Sequence, residues 1–95
     1  MLQLRPNCEC CDVDLPADSA DAMICSFECT FCRECVERLQ NVCPNCGGGL
    51  CPRPIRPKQR LTKFPARLEP VDRAVDWKAH AELVARVGSL PPSVR

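Results

Sequence analysis

The clearest periodic pattern in the chain lies near its end. Val71, Val75, Ala79, Leu83 and Val87 recur every fourth residue and Val84 widens the stripe, which predicts an amphipathic helix from Val71 to Val87. Gly88 is placed as its C-cap and Pro91-Pro92 prevent continuation, so residues 71–88 form the helix and 89–95 a flexible tail. So short a stripe is not stable alone. It needs its own chain or a second copy to pack on, and a homo-oligomer through residues 71–88 is one outcome. Trp77 is read as packing on that surface and His80 as a surface residue. A shorter helix suits Cys32 to Asn41, where Arg33, Glu34, Val36, Glu37, Arg38 and Leu39 are acceptable helix formers. Between the two, five of the ten prolines fall from Pro52 to Pro70, which blocks helix and favours a polyproline-like arm.

Composition narrows what can hold the rest together. The chain has 95 residues and is 45% hydrophobic, but that share includes ten cysteines, with one Trp, three Phe and no Tyr to anchor a core. Two independent domains are excluded by length. Below roughly 70–80 residues a domain usually needs disulfides, a metal or a partner to offset chain entropy. Met1 to Cys11 has no apolar stretch of the kind a signal peptide needs, and no run approaches the ~18 apolar residues of a membrane span. The expected compartment is therefore cytoplasmic. Thiols stay reduced there, so the paired cysteines are read as metal ligands in preference to disulfides or ordinary buried thiols.

Charge divides the chain at the same place as composition. From Met1 to Cys51 there are three basic residues against eight acidic ones; from Pro52 onward there are ten against four. Residues 1–51 are read as a metal-built module and 52–70 as a basic arm. The arm carries Arg53, Arg56, Lys58, Arg60, Lys63 and Arg67 with no acid between them. It can be a solvated linker, can dock on the acidic module, or can contact the phosphates of a nucleic acid. Only Phe64 interleaves with these charges, so a base-stacking platform is weak.

The cysteine spacing carries most of the chemistry. Cys8-x2-Cys11, Cys25-x3-Cys29, Cys32-x2-Cys35 and Cys43-x2-Cys46 form four successive pairs, with Cys10 and Cys51 left over. A tetrahedral zinc ion takes four thiolates at about 2.3 Å, so eight cysteines fill two sites. Iron is also accepted by four thiolates. Cys32 and Cys35 open the first short helix, where the dipole favours thiolate. Cys8-x2-Cys11 and Cys43-Pro44-Asn45-Cys46-Gly47 look like zinc knuckles, the proline fixing the turn and the glycine letting amides approach sulfur. The one histidine, His80, is far from them in sequence, so the sites are expected to be closed and structural. Cys10 and Cys51 are read as spare thiols; a redox sensor is the alternative, and Cys10 can also replace Cys8 or Cys11. Spacing leaves open which pairs share an ion.

Cys29-Thr30-Phe31-Cys32-Arg33-Glu34-Cys35-Val36, preceded by Cys25 and followed by Cys43-Pro44-Asn45-Cys46, resembles the middle and end of a RING finger in an all-cysteine version. The resemblance covers about residues 8 to 46. It implies a small RING-like, treble-clef fold with two all-cysteine zinc sites, little regular secondary structure and a C-terminal helix. Its cross-brace implies that Cys8, Cys11, Cys32 and Cys35 share one Zn²⁺ (site 1) and Cys25, Cys29, Cys43 and Cys46 the other (site 2), with Phe31 as the core's aromatic plug. The whole chain, including Leu4 to Cys11 and Asp21 to Cys32, is also similar to a small bacterial cysteine-rich group, domain-of-unknown-function family 1272. RING ligases recruit a conjugating enzyme through an apolar first knuckle, a groove along the helix and often a basic residue past the last ligand. Here Glu9 and Cys10 fill the knuckle, seven residues separate Cys35 from Cys43, and Gly47 follows the last ligand. The expected function is a non-catalytic zinc-binding module that interacts with another protein. The alternatives are nucleic-acid binding through residues 53–67 and a ligase-like enzyme for a ubiquitin-like modifier.

Overall fold

Paired thiols bracket the regular elements of the amino-terminal half. The computed structural model describes residues 1–71 and 73–95. Strand β1 (Ala22–Ile24) runs antiparallel to β2 (Thr30–Cys32), with Ala22 opposite Cys32 and Ile24 opposite Thr30. Strand β3 (Cys51–Pro52) pairs with the other edge of β1, giving the order β2-β1-β3. None is long enough to display an alternating pattern, so periodicity cannot reveal them. The β1–β2 turn is closed by the Glu28 amide, which donates to the Cys25 carbonyl at 3.0 Å, with Glu28 at a left-handed φ of 66°.

Helix α1 (Arg33–Arg38) starts directly at Cys32, which serves as its N-cap. It stops short of Asn41, the end expected from composition. Gln40 and Asn41 adopt left-handed backbone with φ of 54° and 57°. This bend buries Val42 and lets Asn41 Oδ1 accept the Leu50 amide at 2.9 Å, an exchange that a longer helix would forbid. Beneath the sheet and α1, Phe31 is fully buried (0% exposed) in one cluster with Leu15, Val36, Leu39 and Leu50.

The arm joins this core through two of its arginines. Arg53 is 5% exposed, and its guanidinium donates to the carbonyls of Arg5 at 2.8 Å, Leu15 at 3.2 Å and Pro16 at 2.9 Å. Arg56 donates to the carbonyls of Leu2 at 2.6 Å and Phe64 at 2.8 Å. The arm thus lies on the module, but backbone carbonyls rather than acidic side chains receive these two arginines. A short 3-10 turn at Lys58–Arg60 folds it back.

The C-terminal helix is shorter than its stripe. Helix α2 spans Trp77–Val87 and is capped by Asp76, whose carboxylate accepts the Ala79 amide at 3.0 Å. The expected start at Val71 fails, and both backbone groups of that residue go to the Asn7 side chain instead: Val71 accepts from Asn7 Nδ2 at 2.9 Å and donates to Asn7 Oδ1 at 3.0 Å. Asp72, within the expected helix, lies outside the described residues. Gly88 caps the far end, as placed.

His80 is not a surface residue. It is 4% exposed, and its Nε2 donates to the Val42 carbonyl at 3.0 Å. Trp77 meets the His80 ring edge-on at 5.6 Å, and the Arg38 guanidinium stands 4.7 Å from the Trp77 ring. Residues 89–95, expected as a free tail, instead pack on the module. They include a 3-10 turn at Pro92–Val94, and Arg95 donates to the carbonyls of Asn41 and Gly47, both at 3.0 Å. Pro92 sits where a side chain at Gly49 would be, 2.7 Å from an ideal Cβ there. Among the described residues no helix is long and apolar enough to cross a membrane.

Replacing Arg53 with Met strands the three carbonyls it serves. The expected loss is about 3 kcal/mol or more in urea unfolding. His80→Ala releases α2 from Val42, and because Trp77 is the sole tryptophan, its fluorescence is expected to shift to the red while the cysteine module stays folded.

Candidate metal centre

Two sets of thiols converge, one at the first turn of α1 and one at the final knuckle. Cys8 and Cys11 come from the first knuckle, whose ends are joined by an Asn7–Asp14 bridge and by the Cys8 amide donating to the Val13 carbonyl at 2.9 Å. Cys32 ends β2 and Cys35 lies on α1. The four sulfurs all lie within 4.8 Å of one another. The Cys11–Cys32 separation is 3.8 Å. Four sulfurs at about 2.3 Å from a central ion define a tetrahedron with edges of about 3.8 Å, so this cluster is sized for such an ion.

The second set is less regular. Cys25, Cys43 and Cys46 also hold their sulfurs within 4.8 Å of one another, while Cys29 falls outside that set. Cys29 nevertheless lies beside Cys25 and the Asn45 side chain, and with Cys46 it lines a cleft of about 330 Å³ together with Arg5, Phe27, Asn45 and Arg73. The final knuckle turns through the Gly47 amide donating to the Cys43 carbonyl at 2.8 Å, with Gly47 at a φ of 78° that favours glycine.

Backbone amides are aimed at these sulfurs. The Cys11 amide donates to Cys8 Sγ at 3.5 Å and the Gly48 amide to Cys46 Sγ at 3.4 Å. At Cys8, burial disfavours the thiolate, but the amides of Cys11, Cys32 and Cys10 outweigh it and the pKa falls below the ordinary thiol value. At Cys35 burial prevails, reinforced by the Cys32, Cys10 and Cys11 side chains, and the pKa is pushed far up. Burial also raises Cys32, although the Cys35 amide opposes it, and raises Cys43 strongly despite the amides of Asn45 and Cys46. These three thiols hold their protons first because they are buried, and also because neighbouring thiolates repel one another unscreened. A divalent cation supplies the missing charge and inverts that preference.

Two charged residues that spacing could not flag stand beside the clusters. Glu9, in the first knuckle, is 5% exposed; its Oε2 accepts from Arg5 Nη1 at 3.0 Å and from the Thr30 amide at 2.6 Å. Burial works against the Arg5 charge, but Glu9 and Cys29 outweigh it and raise its pKa. Its guanidinium thus faces the second cluster, a counter-charge of the kind that tunes thiolate ligands. The knuckle position of Glu9, flanked by Cys8 and Cys10, was the only sequence signal for it. Cys10 is half-buried against the core and adjoins Cys35, whereas Cys51 lies exposed in β3. Lys58, Arg60 and Lys63 of the arm are exposed.

Comparison with known proteins agrees with the cysteine pattern. The chain is similar to uncharacterized protein R02474 of Rhizobium meliloti (strain 1021), 67% identical over 67 residues that cover 70% of this chain and 80% of that protein. No solved structure matches it. The family described as protein of unknown function (DUF1272) matches residues 1–56, a span that takes in all ten cysteines, the three strands and the buried Arg53 but not α2. The chain belongs to the DUF1272 family.

Proposed function

We propose that the protein is a zinc-binding, non-catalytic interaction module in which two ions shape a RING-like, treble-clef scaffold. Cys8, Cys11, Cys32 and Cys35 would hold one Zn²⁺, and Cys25, Cys29, Cys43 and Cys46 the other. The observation that carries the reading is the first cluster: four sulfurs within 4.8 Å, drawn from a knuckle and a strand-helix junction 21 residues apart, with a 3.8 Å edge. Each ion would supply a structural crosslink and charge for thiolates that otherwise resist ionising. Structural zinc contributes on the order of 10–16 kcal/mol apparent in small zinc peptides, more than this apolar core could.

An interaction role, rather than an enzyme, is supported by what the polar groups are doing. His80 is buried on a carbonyl, and the thiol clusters are ligand-like in number and spacing. Phe27, 70% exposed beside the second cluster, is the sort of apolar side chain a protein partner covers. Nucleic-acid binding is disfavoured because Arg53 and Arg56 are engaged with the chain's own carbonyls. Salt-sensitive retention on single-stranded DNA, lost when Lys58, Arg60 and Lys63 become alanine, would favour that alternative.

Native mass spectrometry of the purified chain is expected to show two zinc ions. Cys43→Ser should lower the count to one and Cys51→Ser should leave it at two. A metal-free chain that keeps its circular dichroism and protease resistance would overturn the proposal. The pH response gives a second check. Without metal, the raised pKa values of Cys32, Cys35 and Cys43 favour the folded chain below the ordinary thiol range, a contribution lost as pH rises through the folded values. With metal the sign reverses, since uptake displaces those protons. The loaded protein is therefore expected to release zinc and lose stability as pH falls, followed by a chromogenic zinc indicator.

A further inference from the structure

We infer that Glu9 couples the two thiol clusters, so that an ion at either one raises the affinity of the other; this rests on the reading of both clusters as metal sites. Glu9 belongs to the first knuckle, between Cys8 and Cys11, but its hydrogen bonds run to the first residue of β2. Its amide donates to the Thr30 carbonyl at 2.9 Å, and its Oε2 accepts the Thr30 amide at 2.6 Å. Thr30 directly follows Cys29 of the second cluster and stands two residues before Cys32 of the first. One residue, through its amide and its side chain, therefore clamps the short peptide that both clusters share.

The clamp is well shielded. Glu9 is 5% exposed, and Arg5, itself facing Cys29, donates to the same oxygen at 3.0 Å. The other oxygen, Oε1, is buried with no partner among the described residues. That arrangement is unfavourable for a carboxylate unless its remaining bonds are strong, and both of those made by Oε2 are charge-assisted. Covalent connection and the pairing of β2 with β1 order the stretch from Cys29 to Cys32 but do not tie it to the first knuckle; the Glu9 bonds do. With the knuckle fixed by an ion, the Glu9 bonds hold Thr30 in place and present Cys29 to the second cluster already oriented. An ion there orders Thr30 and, through Glu9, the first knuckle, and the effect is equal in both directions.

The test is a Zn²⁺ titration of the metal-free full chain, read by native mass spectrometry as the fractions carrying no, one and two ions. Uncoupled equal sites leave about half of the chains singly loaded at half saturation, whereas hundredfold coupling leaves about one tenth. The wild type is expected near the lower figure. Glu9→Gln keeps the reach and an acceptor oxygen but makes weaker, neutral bonds, so it should retain most of the coupling. Glu9→Asp keeps the charge but is one methylene too short to reach Thr30, so its singly loaded fraction should rise about fivefold while saturation still gives two ions. Equal behaviour of the Asp variant and the wild type overturns the inference. So does uncoupling by Gln as strong as by Asp, which would assign the effect to charge. An Asp variant that cannot take two ions at saturation also overturns it, marking Glu9 as a folding residue. A wild type that loads two ions independently refutes the coupling and leaves the two-site reading intact, while one that takes up no zinc refutes that reading itself.

Discussion

Four sulfurs drawn to within 4.8 Å of one another are the arrangement on which the amino-terminal half depends. Burial makes Cys32 and Cys35 resist ionisation, and several thiolates without a cation repel one another. Strands of two or three residues and a helix of six could not persist on their own hydrogen bonds. Phe31 and the few aliphatic residues around it fill the space between the clusters, but they are too few to define the turns. The geometry of the knuckles and the bracketing of each element by cysteines make sense once the sulfurs are treated as crosslinks.

Around that frame the chain uses cations in three distinct ways. Arg53 is a buried strut that satisfies carbonyls from two loops and fastens the arm to the module. Arg5 faces Glu9 and Cys29, where its charge compensates the second cluster. Arg38 covers the Trp77 ring and helps seat α2. The excess of positive charge after Pro52 is thus partly internal architecture. A count of basic residues along the arm overstates the charge available to an external ligand, because a guanidinium bonded to backbone carbonyls is no longer free to meet phosphate.

Legibility of the chain varied with the range of the interaction responsible. The pairs of cysteines were readable because the two sulfurs a knuckle offers come from positions separated by only two or three residues. The helical stripe was readable as well, since its face repeats locally. Its true start was not: Val71 satisfies the period, yet Asn7, 64 residues away, binds its amide and carbonyl. His80 looked like a surface residue because a helix shows only that a position lies off the stripe, and the carbonyl of Val42 is brought beneath it by the bend at Gln40 and Asn41.

Local chemistry, then, told by itself that this is a small cysteine-rich chain with paired ligand-like thiols, a proline-rich arm and a terminal helix. Those features depend on residues within a few positions of each other, and side-chain type is enough to define them. The convergence of the first pair with the third, the burial of Glu9 and Arg53, and the docking of α2 and Arg95 on the final knuckle were decided only when the chain folded. Each joins residues far apart in sequence, and nothing in the spacing of one partner specifies where the other will arrive.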